Sequence, residues 1–488
     1  MKRSLITIIY VLFFLISYSQ PNYSISINAN PSSGNLFFQT GGQPAKPISI
    51  LDSSGALIFW DNLGLKGWDF KVNDNNKITY YDRLSKGWFV MDSLENVVDS
   101  VYCKNGYTSD LHDFIALENG NYILFAYDDQ PYAMDTVVSG GDPNAMVEGL
   151  IIQELDSNQN LLFQWSSWDH FNITDNVTAN LTSSSIAFIH CNSIDIDYDG
   201  HLLISSRNLD EITKINRITG DLIWRWGGAK NEFTLLGNDY PFSRQHCLRS
   251  LGGNRYLLFD NGNFSNQYTG TSKFSRAVEY LLDTVNMTAQ KTWEFVHPDS
   301  LFSPAIGSVQ RLQGGNTFIN FGNLQNLNMG SILCEVDSTG QLVFELRFVN
   351  GQNLYRAHKF DWFFTFPGCI DSLSCNFDST ANFSDSSCLF STFSYDTVVV
   401  NGSYLWNGNS FNVSGDHAIL LTNSVGCDST AFLNLTINNS TIINDFPRNK
   451  KKLIKIVDLF GRESYALRNK VLFYIYSDGS VEKRIILE

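Results

Sequence analysis

A turn carrying Gly or Asn, placed directly ahead of a strongly apolar run, occurs six times between Tyr23 and Phe366. The pairs are Gly34-Asn35 with Leu36-Phe37-Phe38, Asn75-Asn76 with Ile78-Thr79-Tyr80, Gly120-Asn121 with Tyr122 to Phe125, Asp199-Gly200 with Leu202 to Ile204, Gly253-Asn254 with Tyr256 to Phe259, and Gly315-Asn316 with Phe318-Ile319. A second turn comes after each, starting at Asp52, Asp92, Asp156, Asn216, Asp283 and Asp337, and several lead to Trp or Phe. Two independent markers therefore give one count. A recurrence of this kind means one supersecondary unit copied along the chain, each copy burying its apolar face on the next.

The stretch from His190 to Gly228 shows the unit most fully. Ile194 to Asp197 alternates apolar and polar residues, the period-two mark of a half-buried strand. Asp199-Gly200 is a hairpin turn, Leu202 to Ser205 a second strand, Ile212 to Ile215 a third, and Leu222 to Trp226 an aromatic-rich fourth. Four antiparallel strands joined by tight turns make one blade of a β-propeller, so six units predict an all-β, six-bladed β-propeller over residues 20–366. A parallel α/β fold needs helical stretches of about 10 or more residues between strands, and the pattern contains none.

The chain of 488 residues is 43% hydrophobic and 17% charged, too apolar for disorder. A net charge of −15 argues against nucleic acid as a partner. Residues 1–19 join Lys2-Arg3 to an apolar run from Leu5 to Ser17 and end in small residues, the form of a signal peptide. No other segment is long and apolar enough for a transmembrane helix, so the expected location is outside the cell or on its surface, reached through the periplasm. Eight Cys in an exported chain permit disulfides.

After Phe366 the pattern changes. Residues 367–390 form a Cys- and Asp-rich linker segment whose carboxylates lack EF-hand spacing, and Cys427 is expected to bridge back to Cys369, Cys375 or Cys388. Residues 391–440 read as a small β module. Residues 445–488 begin with a basic run and contain Val457-Asp458-Leu459, Gly461-Arg462 and Tyr476 to Lys483. This tail resembles the C-terminal sorting domain of type IX secretion, which implies the type IX secretion machinery as a partner.

The innermost strand of each unit is expected ahead of its first turn. There the third unit carries His112, the fourth His190 and the fifth His246, while the second and sixth carry Gly67-Trp68 and Gly307-Ser308. Equivalent positions in a radial repeat lie at one height around one axis, so the three imidazoles should converge. Arg207 closes the second strand of the fourth unit, and Asn192 lies two residues after His190, hence on its face, where it is expected to bind substrate. Three His with an Arg and no aligned carboxylate read as an anion site, because a guanidinium fork matches sulfate or phosphate oxygens. The rivals are a three-His zinc hydrolase, which a neighbouring cation opposes, and a surface-binding propeller without turnover. A glycosidase needs two facing carboxylates that the aligned positions lack.

Together these residues resemble the nucleotide-independent arylsulfotransferase family. The resemblance rests on His112-Asp113-Phe114, His190 to Asp195 with Leu203 to Arg207, Trp224 to Gly228, Phe242 to His246 with Leu258 to Gly262, Ser275-Arg276-Ala277, Gly307 to Gln310 and Tyr355-Arg356-Ala357. It implies sulfuryl transfer from a small aryl sulfate donor to a phenolic acceptor through a sulfohistidine, without a cofactor or metal. His246 matches the family's nucleophile, and His190, His112 and Arg207 match the rest of its active site.

Overall fold

The computed structural model describes residues 20–41, 47–61, 66–237, 239–362, 365–438 and 451–486. The expected signal peptide, residues 1–19, and the start of the basic tail lie outside them. The chain divides into two compact units at 363/364. Both are all-β. Among the described residues the only α-helix is Ser265–Thr269, and no helix is long and apolar enough to cross a membrane.

Among the described residues the first unit contains six sheets, each built on a four-stranded antiparallel ladder, and two of them add a short parallel strand. Six edge strands carry or border the conspicuous polar side chains: β1 (Lys66–Val72), β2 (Ser109–Ala116), β3 (Cys191–Ile196), β4 (His246–Gly252), β5 (Ser308–Arg311) and β6 (Leu354–Phe360). Each stands at one edge of its own sheet. Each also packs beside the corresponding strand of the next sheet, and β6 packs beside β1, so the succession returns to its start. The apolar core is correspondingly divided into clusters between sheets. One joins Ile123, Phe125 and Ile152 of the third sheet to Ile194, Leu202 and Ile204 of the fourth.

Turn chemistry explains why the repeat is legible. Gly120 and Gly200 both sit at φ 84°, where a side chain is disfavoured. The Asp residues opening the second turns fold the backbone around their own carboxylates. Asp52 Oδ1 accepts from the N–H groups of Ser54 and Ala56 at 2.9 Å, and Asp92, Asp156 and Asp337 repeat the arrangement.

One expectation fails. In the first sheet the edge strand comes not from ahead of Gly34 but from β6, which pairs with Asn35–Thr40 in the register Asn35↔Phe360 to Thr40↔Leu354. Residues Tyr23–Asn28, which the repeat would place there, instead add to Leu342–Phe348 of the sixth sheet. Pairing residues more than 300 positions apart is a non-local event, and a local period carries no trace of it.

In the second unit, Cys369 pairs with Cys388 and Cys375 with Cys427. Thr392–Val400, Asp428–Ile437 and Gly415–Thr422 form one sheet, and Leu453–Val457, Val471–Tyr476 and Val481–Ile485 another.

Candidate active site

Three imidazoles stand at or near the starts of three consecutive edge strands. His112 lies in the first half of β2, His190 immediately precedes β3, and His246 opens β4. The His112 and His190 rings meet edge to face with centroids 4.9 Å apart. His190 also stacks on Tyr127 at 5.9 Å and 11°. From the neighbouring strands, the Tyr355 hydroxyl lies 3.1 Å from the His112 carbonyl, and Trp68 stacks on Tyr355 at 4.9 Å.

His246 is buried, and its hydrogen bonds define its tautomer. Nδ1 faces two acceptors, Asn261 Oδ1 at 2.7 Å and the Arg244 carbonyl at 3.0 Å, while Nε2 accepts from the Ile306 N–H at 3.2 Å. The proton is thus on Nδ1 and the lone pair on Nε2. The Asn261 amide cannot be turned round, because its Nδ2 donates to the Ser303 and Ile306 carbonyls at 2.7 and 2.8 Å. Ile306 has φ 55°, an outlying conformation for a β-branched residue, and it aims its N–H at the ring.

Burial, with Arg207 next, holds His246 well below the ordinary imidazole range. His190 is pushed down to about 3 by burial and then by His112 and Arg207. Both rings are therefore neutral near pH 7. His112 differs in having a carboxylate of its own, since Asp110 Oδ1 lies 2.6 Å from its Nδ1 and accepts the proton there.

Arg207 begins the short turn after Leu202–Ser206, and its N–H donates to the His190 carbonyl at 2.9 Å. Its guanidinium donates to Asn208 Oδ1 at 3.1 Å and the Pro304 carbonyl at 3.3 Å. No carboxylate forms an ion pair with it among the described residues. Burial and the nearby Arg244 lower it to about 10. This is a cation with no anion of its own.

Asn192 is placed differently from the expectation. His190 has φ 45° and lies outside the strand, so the alternation that was to align the two does not reach it. The Asn192 amide is buried and donates to the Gln245 carbonyl at 2.6 Å, one residue before His246. Sequence reasoning missed Asp110, Asn261, Ile306 and Arg244. Asp110 and Arg244 were findable two residues before His112 and His246, whereas Asn261 and Ile306 reach His246 only through packing between strands and sheets. Among the described residues no three His, Cys, Asp or Glu side chains are grouped to hold a metal ion.

The arylsulfotransferase (ASST) family model matches residues 23–356, which include all of these side chains. The chain belongs to the arylsulfotransferase family. Sulfuryl transfer is therefore its general activity, with small aryl molecules as donor and acceptor. No curated protein matches the sequence. Among solved structures, a protein of unknown function from Bacteroides caccae is 14% identical over 67% of this chain and 99% of its own, with a TM-score of 0.42. The periplasmic gluconolactonase of Pseudomonas aeruginosa is 11% identical over 68% of this chain and 100% of its own, at 0.39. Virginiamycin B lyase from Staphylococcus aureus is 9% identical over 66% and 88%, at 0.33. Likenesses this slight carry no argument about chemistry, so the arylsulfotransferase reading rests on the family match.

Proposed function

We propose that the six sheets close a six-bladed propeller, and that His246 carries the sulfuryl group between a phenolic sulfate ester and a phenol in two displacements. The observation that carries this reading is the fixed tautomer of His246, whose Nε2 lone pair is free of a proton and held at the site. The return of the strand succession from β6 to β1 supports the propeller.

In the first displacement Nε2 forms a bond to sulfur as the bond from sulfur to the aryl oxygen breaks. The departing phenolate takes a proton from His112, whose ring Asp110 orients by accepting from Nδ1. Arg207 turns its unused donors to the sulfuryl oxygens, and the Ile306 N–H, released from Nε2, bonds one of them. Each such donor contributes about 3 kcal/mol in the transition state. Because Nδ1 keeps its proton, the sulfated ring is cationic and leaves as neutral imidazole. In the second displacement the acceptor phenol gives its proton to His112, its oxygen attacks sulfur, and the electron pair returns to Nε2. Asn192 acts from behind the ring, holding the backbone that presents it.

We further propose that the protein is exported, with residues 445–488 read by type IX secretion machinery. The leader-like residues 1–19 support export, as do the two disulfides, which persist in oxidising compartments.

The test is to mix the protein with 4-nitrophenyl sulfate carrying a radiolabelled sulfuryl group, first without and then with phenol. Label on the peptide containing His246, chased into phenyl sulfate on adding phenol, is the expected result. Phenyl sulfate formed with the label elsewhere would remove His246 as the carrier, and nitrophenolate released without phenyl sulfate would make the reaction a hydrolysis.

A further inference from the structure

Arg207 has a role in the chemistry above, but a second guanidinium stands beside it without one. Arg207 and Arg244 share a single acceptor, Asn208 Oδ1, at 3.1 and 3.0 Å. Arg244 also donates to the Arg207 carbonyl at 3.3 Å and to Thr178 Oγ1 at 2.6 Å. The one carboxylate paired with either, among the described residues, is Asp210, 3.8 Å from Arg244 Nε. Two positive charges thus face one negative charge, an imbalance that an arriving anion relieves. Arg244 holds φ 57°, a backbone conformation seldom kept without a reason of packing or function.

Both guanidiniums open onto a cleft of 370 Å³ whose other walls include Thr178, Asn180, Ser183 and Ser185. Among its described lining residues there is no aromatic ring and no carboxylate. Such a wall offers hydroxyls, amides and positive charge rather than an aromatic surface. The rings of the site, Tyr127 and Tyr355, contact His190 and His112 instead.

We propose that this cleft receives the non-reacting part of the substrate, and that this part is hydroxyl-rich and carries an anion of its own, as a sugar acid linked to the phenol does. The proposal rests on the reading of Arg207 as the sulfuryl clamp, since it places the second anion beside the first. Arg207 then meets the group that moves, Arg244 the anion that stays, and the Ser, Thr and Asn side chains the hydroxyls. The aryl ring between them lies toward Tyr127 and Tyr355.

The experiment compares three acceptors with 4-nitrophenyl sulfate as donor, using the full chain and its Arg244→Gln variant: phenol, 4-hydroxyphenyl glucoside and 4-hydroxyphenyl glucuronide. Gln keeps a hydrogen-bonding amide for Thr178 but no charge. Wild type should show kcat/KM about tenfold higher for the glucuronide than for the glucoside, mainly through KM, a gap of one charge-assisted contact. R244Q should close that gap, with the glucuronide losing about tenfold more than phenol does. Equal use of glucoside and glucuronide by wild type overturns the proposal. So does an equal loss for all three acceptors in R244Q, which would make Arg244 only a prop for Arg207. If no acceptor reacts, the sulfuryl-transfer reading fails, and calorimetric binding of the glucuronide decides this proposal separately. Tighter binding to wild type than to R244Q upholds it, and equal affinities overturn it.

Discussion

Two polar clusters are built on the same edge strands, and they differ in how their charges are balanced. Asp69, Lys71, Asp113 and Arg356 are all buried and closely paired. Lys71 lies 2.8 Å from Asp69 and 2.5 Å from Asp113, and Arg356 lies 3.1 and 2.9 Å from the same carboxylates. Burial alone would raise Asp113, but Arg356 and Lys71 more than offset it and hold the carboxyl well below its usual range. The other cluster contains His112, His190, His246 and Arg207 and, among the described residues, has no carboxylate paired to its guanidinium. The two meet at adjacent residues, since His112 belongs to the second cluster and Asp113 to the first. A closed network holds strands together, whereas an unbalanced one keeps neutral imidazoles beside an unpaired cation and is ready for an anion.

The sharpest way to break this comparison is to remove one member from each cluster. His246→Ala should lower turnover by at least about 10³-fold, because no other group at the site offers a lone pair in the same place. Asp113→Asn should do the reverse, costing about 3 to 5 kcal/mol of stability while turnover per folded molecule changes little. Denaturant unfolding and initial rates on both variants check the pair. A large rate loss without destabilisation in Asp113→Asn would mean that the clusters are not separate.

Arg207→Lys sharpens the comparison within the open cluster. The charge stays but the planar fork is lost, so kcat should fall about 10²-fold with a smaller change in KM. An unchanged kcat would show that the cation acts by charge alone.

The smallest effect concerns pH. His190 is held down to about 3, so near neutrality it is unprotonated in both folded and unfolded chains. Below the unfolded value of about 6.5 the unfolded chain binds the proton and the folded protein does not, so stability falls as pH falls from there toward 3. Asp113 acts in the same direction but only below the unfolded carboxylate value of about 4. His190→Gln should therefore flatten the thermal midpoint between about pH 6.5 and 4 relative to wild type and leave the steeper loss below about 4. An unaltered slope in that window would mean that His190 is not held neutral.

Much of this was legible in the sequence because it depends on neighbours along the chain. Asp and Gly at turns, apolar runs after them and period-two alternation are local chemistry, so the six sheets were legible, and with them the three His at equivalent places in successive units. The family motifs are ordered along the same repeat. What depends on pairing across the chain was not legible. The first sheet takes its edge strand from residues 354–360. The tautomer of His246 is set by Asn261, just past the adjacent strand of its own sheet, and by Ile306 from the segment leading into the sixth. Asn192 lost its assumed orientation because a left-handed residue at His190 interrupts the alternation. Sequence by itself determined which residue types recur and where; only the tertiary structure decided which carboxylates reach which cations. That second matter is a question of distances between sheets, and it separates the paired cluster from the open one.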